Sequence, residues 1–214
     1  MKALYPVVVS LLAATSFAAH AQNSAEEGAN YQLLINGKSH SLEAGKPLTY
    51  KTASGEILQM ELRESSVRVF RDEWVSFQTP RNVSVSETAV DEDVRQIMAM
   101  NALGAGMLIQ EYGSVDPSSI IDFMLIQLTK EGVAAGAKRR DTPFSLKLAD
   151  GKVLKGKTVE LTVKKTSAIY KVVAWSGDGE GLLIVLLSSQ DGSKEDADSQ
   201  KFQDRMVASL RIVR

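Results

Sequence analysis

The sequence predicts an α+β fold in which helices lie on an antiparallel sheet of five or more strands. Short stretches in which apolar and polar residues alternate, as is typical of strands, recur between residues 31 and 188. Two other segments, 116–131 and 199–210, carry apolar residues at helical spacing. No linker rich in Pro, Gly or Ser interrupts this part of the chain, which favours one mixed domain.

The first 21 residues have the composition of a secretory signal peptide. Lys2 supplies the positive charge, an apolar run follows over 7–14, and Ala19 and Ala21 are the small residues that signal peptidase requires. The apolar run is slightly short for a membrane-spanning helix, which needs about 20 residues. We therefore predict cleavage after Ala21, a periplasmic location and a polar, disordered mature N-terminus over 22–30.

A β-hairpin region is predicted over 31–70, ahead of an α+β domain over 71–214. Asn36-Gly37 is a strong signal for a two-residue hairpin turn. Residues 57–62 then alternate apolar and polar side chains, as a half-buried strand does. The N-terminal β region could form a subdomain of its own.

Within the larger domain, a strand is predicted over 74–79, and apolar residues at helical spacing predict a helix over 91–103. Asp116 and Pro117 supply an N-cap acid and a first-turn proline for a second helix. A last helix over 199–210 precedes a short closing strand.

The composition argues against several kinds of chemistry. The chain has no Cys and two His, of which His20 lies in the predicted signal peptide. A zinc site needs Cys or several His, and a Ser-His-Asp triad would have to use His40, which lies in a polar stretch beside a hairpin turn. The formal net charge of −1 provides no basic excess for nucleic acid. We predict no catalytic residue, no cofactor, no metal and no nucleic-acid partner.

Residues 151–158 match the phosphate-binding loop motif G-x-x-x-x-G-K-[ST] letter for letter. That motif requires a helix directly after it, because the helix N-terminus faces the phosphates. Here Val159, Leu161 and Val163 alternate with polar residues, so the chain is predicted to continue as a strand. We interpret the match as a hairpin whose lysines lie on the solvent side.

From Trp74 to the C-terminus, the order of elements resembles the PsbP-like fold, which envelope proteins of the DcrB-like kind share. The segments that carry the resemblance are 74–80, 107–112 with the Asp116-Pro117 helix, 144–188 and 202–212. The resemblance implies a PsbP-like α/β/α sandwich, and a role in binding or assembly without shared catalytic residues.

Export, the lack of catalytic groups and the resemblance together predict a non-catalytic accessory protein that binds an envelope protein. No later apolar run is long enough to span a membrane, so the mature chain is not expected to cross one. Aromatic and arginine side chains are the usual anchors of interfaces and pockets. The candidates for such a site are Trp74, Tyr112, Arg139, Arg140 and Trp175.

Two alternatives remain open at this point. The first is a carrier of a small apolar ligand, with a pocket between sheet and helices lined by residues such as Met98, Met107, Phe123 and Met124. The second is a hydrolase that uses two carboxylates, which would require a deep cleft with two acids of raised pKa.

Overall fold

The computed structural model describes residues 30–191 and 194–214. The predicted signal peptide (1–21) and all of the predicted disordered segment except Asn30 lie outside the described residues. The chain divides into two compact units, of which the first ends at Glu64 and the second begins at Ser65.

The first unit consists of two β-hairpins in its described part. β1 (Asn30–Ile35) pairs with β2 (Lys38–Glu43), and β3 (Pro47–Lys51) pairs with β4 (Ile57–Glu61). Asn36 and Gly37 both have positive φ, 50° and 79°, as the predicted two-residue turn requires. Leu42 is the one apolar side chain among the described residues of this unit that is buried, so its core is small.

The second unit holds the remaining elements. They are β5 (Val67–Arg71), β6 (Val75–Pro80), β7 (Val85–Asp91), β8 (Val94–Met100), β9 (Gly106–Tyr112), a 3₁₀ turn (Pro117–Ile120), α1 (Ile121–Ala134), β10 (Lys138–Lys147), β11 (Val153–Val163), β12 (Thr166–Gly177), β13 (Glu180–Gln190), α2 (Lys194–Ser209) and β14 (Arg211–Ile212).

The strands of the second unit form two antiparallel sheets. Seven strands lie in the spatial order β10-β11-β12-β13-β9-β8-β7, and three shorter strands lie in the order β14-β6-β5. The predicted α+β class, an antiparallel sheet with helices packed on it in a PsbP-like α/β/α sandwich, is therefore wrong. Strands make up 55% of the described residues and helices 18%, so the fold is β-rich and mostly antiparallel.

The segment predicted as a helix over 91–103 accounts for part of this error. It forms the end of β7, a turn and β8, and β8 pairs with β7 on one side and with β9 on the other. Ile97 and Ala99 are buried on one face, while Gln96 and Met98 are half-buried on the opposite face. Because both faces of this central strand carry apolar atoms, its sequence mimics helical spacing.

Two hydrophobic clusters lie on opposite faces of the seven-stranded sheet. In the larger cluster, Phe77 of β6 and Met206 of α2 pack with Ile184 of β13. In the smaller cluster, Leu125 of α1 packs with Val172 and Val185 of the sheet. No helix in the described part of the chain is long and apolar enough to cross a membrane.

Candidate functional site

Trp74 lies half-buried just before β6, at the edge of the larger cluster. Asp72 Oδ1 accepts the backbone N–H groups of Trp74 and Val75, each at 2.7 Å, and so holds the chain as it enters the strand. The Arg214 guanidinium lies over the indole, 4.3 Å from the ring centroid, in a cation–π contact. Arg214 therefore holds the indole, and Asp72 holds the backbone beside it.

Tyr112 and Trp175 pack against different clusters and do not share a cleft. Tyr112 contacts the smaller cluster, and its hydroxyl donates to Gln110 Oε1 at 2.7 Å. Burial raises the pKa of Tyr112 to about 12, so its phenol stays protonated at neutral pH. Trp175 is half-buried against the larger cluster.

Arg139 and Arg140 lie at the start of β10. Arg139 pairs with Asp141 at 2.7 Å, and its Nη1 donates to the buried Thr129 of α1 at 2.9 Å. Arg140 pairs with Glu160 on the neighbouring strand. Both guanidinium groups are thus engaged within the chain, where they join β10 to α1 and to β11.

The motif of residues 151–158 lies in the β10–β11 hairpin and the first half of β11, as the hairpin interpretation predicts. The chain runs on as strand to Val163, and Lys157 Nζ pairs with Asp122 of α1 at 2.6 Å. Gly156 has a packing role, because a Cβ at this position would collide with the backbone carbonyl of Val172 on β12. The glycine lets two neighbouring strands approach closely.

An open cleft of about 720 Å³, here called the acidic cleft, lies between the loop 72–74 and the β7–β8 hairpin. Six carboxylates line it together with two arginines, Arg71 and Arg95. Trp74 forms part of its wall. The carboxylates are Asp72, Glu73, Asp91, Glu92, Asp93 and Glu111.

Arg95 joins two of these carboxylates. It pairs with Asp72, and its Nε lies 2.8 Å from Glu111 Oε2. Glu111 is only 4% exposed, and burial raises its pKa to about 7, helped by the nearby charge of Asp72 and opposed by Arg95.

This arrangement differs from the pair of acids that the hydrolase alternative requires. The pKa of Glu111 is raised, as one acid of such a pair would require. The Arg95 guanidinium pairs with both Glu111 and Asp72, and these two carboxyl groups also lie within hydrogen-bonding reach of each other. The geometry therefore favours a shared ion pair over a catalytic pair of acids.

A second open cleft of about 620 Å³, here called the arginine cleft, lies on the outer face of the three-stranded sheet. Ser76 of the central strand β6 pairs with Arg71 of β5 on one side and with Arg211 of β14 on the other. Arg205 of α2 completes the lining, one turn before Ser209. No carboxylate of the described chain lines this cleft.

The three arginines of the arginine cleft differ from most others in the chain. Five arginines form ion pairs with carboxylates, namely Arg63, Arg95, Arg139, Arg140 and Arg214. Arg68, Arg71, Arg205 and Arg211 have no acidic partner within residues 30–191 and 194–214. Three of these four line the same cleft.

The residues proposed for an apolar ligand pocket do not surround a cavity of their own. Met107 and Met124 are buried in opposite clusters, whereas Phe123 is 47% exposed on α1. Neither cleft includes any of these side chains. The part of the chain that the structure describes also holds no group of three His, Asp or Glu that could bind a metal.

The arginine cleft has no linear signature in the sequence. Arg71 and Arg211 are far apart in the chain, and only the pairing of β6 with both β5 and β14 brings them into one row. The sequence carried only a weak signal for this cleft. A polar residue that recurs within an apolar strand usually marks the solvent-facing side of the strand, and this does not distinguish a binding site.

No protein-family model matches the chain, and no curated protein matches it in sequence. The function must therefore be inferred from the chain's own residues.

Proposed function

We propose that this protein is a non-catalytic accessory protein of the bacterial envelope that docks a partner protein across the acidic and arginine clefts. One observation carries the proposal: two open clefts of opposite charge adjoin at Arg71, which lines both. A surface of this kind suits a partner whose charges have the complementary pattern.

The charges in the two clefts are poorly compensated within the chain. Glu73, Asp91 and Glu92 have no ion pair in the described residues, and the three arginines of the adjoining cleft have none either. Like charges held close together repel, and a complementary partner would relieve that repulsion. Attraction between opposite charges would also orient the partner as it approaches.

Trp74 supports the same proposal, since tryptophan is enriched among the residues that dominate binding energy at interfaces. Its indole is held by Arg214, while Asp72 holds the backbone beside it. A side chain that is already ordered loses little conformational entropy on binding. Trp74 lines the acidic cleft near its boundary with the arginine cleft.

Export through the signal peptide is part of this proposal. We expect the mature protein in the envelope fraction to begin at Gln22, because Ala19 and Ala21 satisfy the cleavage pattern. Mass spectrometry of the intact protein purified from that fraction measures its N-terminus directly. A protein that retains Met1 there would contradict the prediction.

Photo-crosslinking in living cells tests the docking surface. A photoreactive amino acid at Glu73 or Gln78, both exposed in the clefts, should capture one dominant partner protein. The same group at Lys130, exposed on α1, or at Lys165, exposed in the turn between β11 and β12, serves as the matched control. Equal yields at cleft and control positions, or no product at either cleft position, would contradict the proposal.

A further inference from the structure

The arginine cleft has features that a general docking surface does not require. Arg71, Ser76 and Arg211 form one row across three neighbouring strands, whose spacing is about 5 Å per strand. Their side chains extend from the same face of the sheet, since directly paired residues share a face. Arg205 approaches from α2, so guanidinium groups from three separate elements line one space.

Hydroxyl and amide groups accompany these cations. Ser209 Oγ accepts the backbone N–H of Gln78 at 2.8 Å, which attaches the end of α2 to the centre of the sheet. Ser76 lies between the two arginines of the row, and both serines line the cleft. The cleft thus combines three positive charges with neutral polar groups and, in the described chain, no carboxylate.

Two ordinary explanations account for only part of this arrangement. Cations at the C-terminal end of a helix are favourable, which covers Arg211 just after α2 but not Arg205, which lies before its last turn. That explanation does not extend to Arg71, which lies on β5. The second explanation is that an exposed arginine is hydrated and needs no acidic partner. Arg68 on the same strand is an arginine of this kind, and it lies outside the cleft.

We propose that Arg71, Arg205 and Arg211 form a binding site for a phosphate group. The guanidinium fork matches phosphate oxygens in a bidentate manner, and a dianionic phosphate has enough oxygens for several forks. A carboxylate has two oxygens, which one or two arginines would satisfy. The phosphate could belong to a soluble phosphate compound or to a phospholipid headgroup. This site goes beyond the proposed protein docking and does not depend on it.

Titration of the ¹⁵N-labelled mature protein with inorganic phosphate tests the site without any substitution. At constant ionic strength, the backbone amide signals of Ser76 and Ser209 should shift and saturate, while that of Lys130 on α1, on the opposite face of the seven-stranded sheet, should not. Chloride at the same ionic strength is the control. Shifts that are the same with chloride, or that do not saturate, would overturn the proposal.

Variants then locate the site. Changing Arg71, Arg205 or Arg211 to alanine should each weaken phosphate binding by about tenfold, because each removes a hydrogen bond between charged groups. Arg68→Ala is the matched control, since Arg68 is an unpaired exposed arginine of β5 that lies outside the cleft, and its affinity should change by less than about twofold. Equal losses in Arg68→Ala and Arg71→Ala would overturn the assignment.

Binding to vesicles distinguishes a phospholipid headgroup from a soluble phosphate compound as the ligand. Co-sedimentation with phosphatidylcholine vesicles that contain phosphatidic acid, reversed by free phosphate and lost in Arg211→Ala, would support the site with a lipid headgroup as ligand. Saturable binding of inorganic phosphate without co-sedimentation would support a soluble phosphate compound. Binding of neither would overturn the proposal, whatever the crosslinking experiment shows for the partner protein.

Discussion

Replacing Gly156 by alanine should destabilise the second unit by about 3 kcal/mol. A Cβ at this position would collide with the Val172 carbonyl and would lie 2.8 Å from Val173 Cα. Both are backbone atoms of the paired strand β12, so no side-chain rotation can relieve the contact. The strands would have to separate locally, which costs ladder hydrogen bonds and packing in both clusters.

Urea denaturation followed by tryptophan fluorescence measures this effect. Both tryptophans, Trp74 and Trp175, lie in the second unit, so their fluorescence reports its unfolding. Gly113→Ala is the matched control, because a Cβ there would meet its nearest neighbour at 3.7 Å, an ordinary contact. If Gly156→Ala were as mild as Gly113→Ala, the packing explanation for this glycine would be wrong.

Replacing Glu111 by glutamine should change how the stability of the protein depends on pH. In the folded protein the pKa of Glu111 is about 7, against an ordinary value of 4.5, so the folded state binds this proton more tightly than the unfolded state does. The contribution of Glu111 therefore favours folding at low pH and is lost as the pH rises towards 7 and beyond. Glutamine cannot ionise and removes this dependence.

The free energy of unfolding of Glu111→Gln relative to wild type should accordingly rise by roughly 2 kcal/mol between pH 5 and pH 8. Urea denaturation at several pH values measures this difference, and taking the difference cancels the contributions of the other acids. Glu73→Gln, at an exposed carboxyl of the same cleft, is the matched control variant. Parallel wild-type and Glu111→Gln profiles would contradict the account of the buried ion pair.

Local sequence patterns predict many of the individual elements but not how they combine. The Asn36-Gly37 turn, the strand before Pro80, the helix after Pro117 and the short closing strand at Arg211 all occur. These depend on turn chemistry, capping and alternation within a few residues. The long paired strands β12 and β13 raise the β content beyond what an α+β assignment implies.

The candidate site was harder to predict than the elements, for a physical reason. Among the five side chains selected from the sequence, Trp74 lines a charged cleft, whereas Arg139 and Arg140 form ion pairs within the chain. Whether an arginine is paired depends on strand register, as the row Arg71, Ser76 and Arg211 shows. Register between distant segments is set by the whole sheet and cannot be derived from local alternation.

Crosslinking in living cells with the cleft charges reversed tests most directly whether the charged surface docks a partner. Glu92→Lys and Arg211→Glu together reverse one exposed charge in each cleft, and Lys130→Glu on α1, which lines neither cleft, is the control. We predict that the yield of the dominant crosslink formed from Gln78 falls at least about tenfold in the double variant, because each reversed charge repels the partner and weakens docking. The yield should persist in the control variant. An undiminished crosslink in the double variant would contradict the proposal that the two clefts recognise the partner by charge.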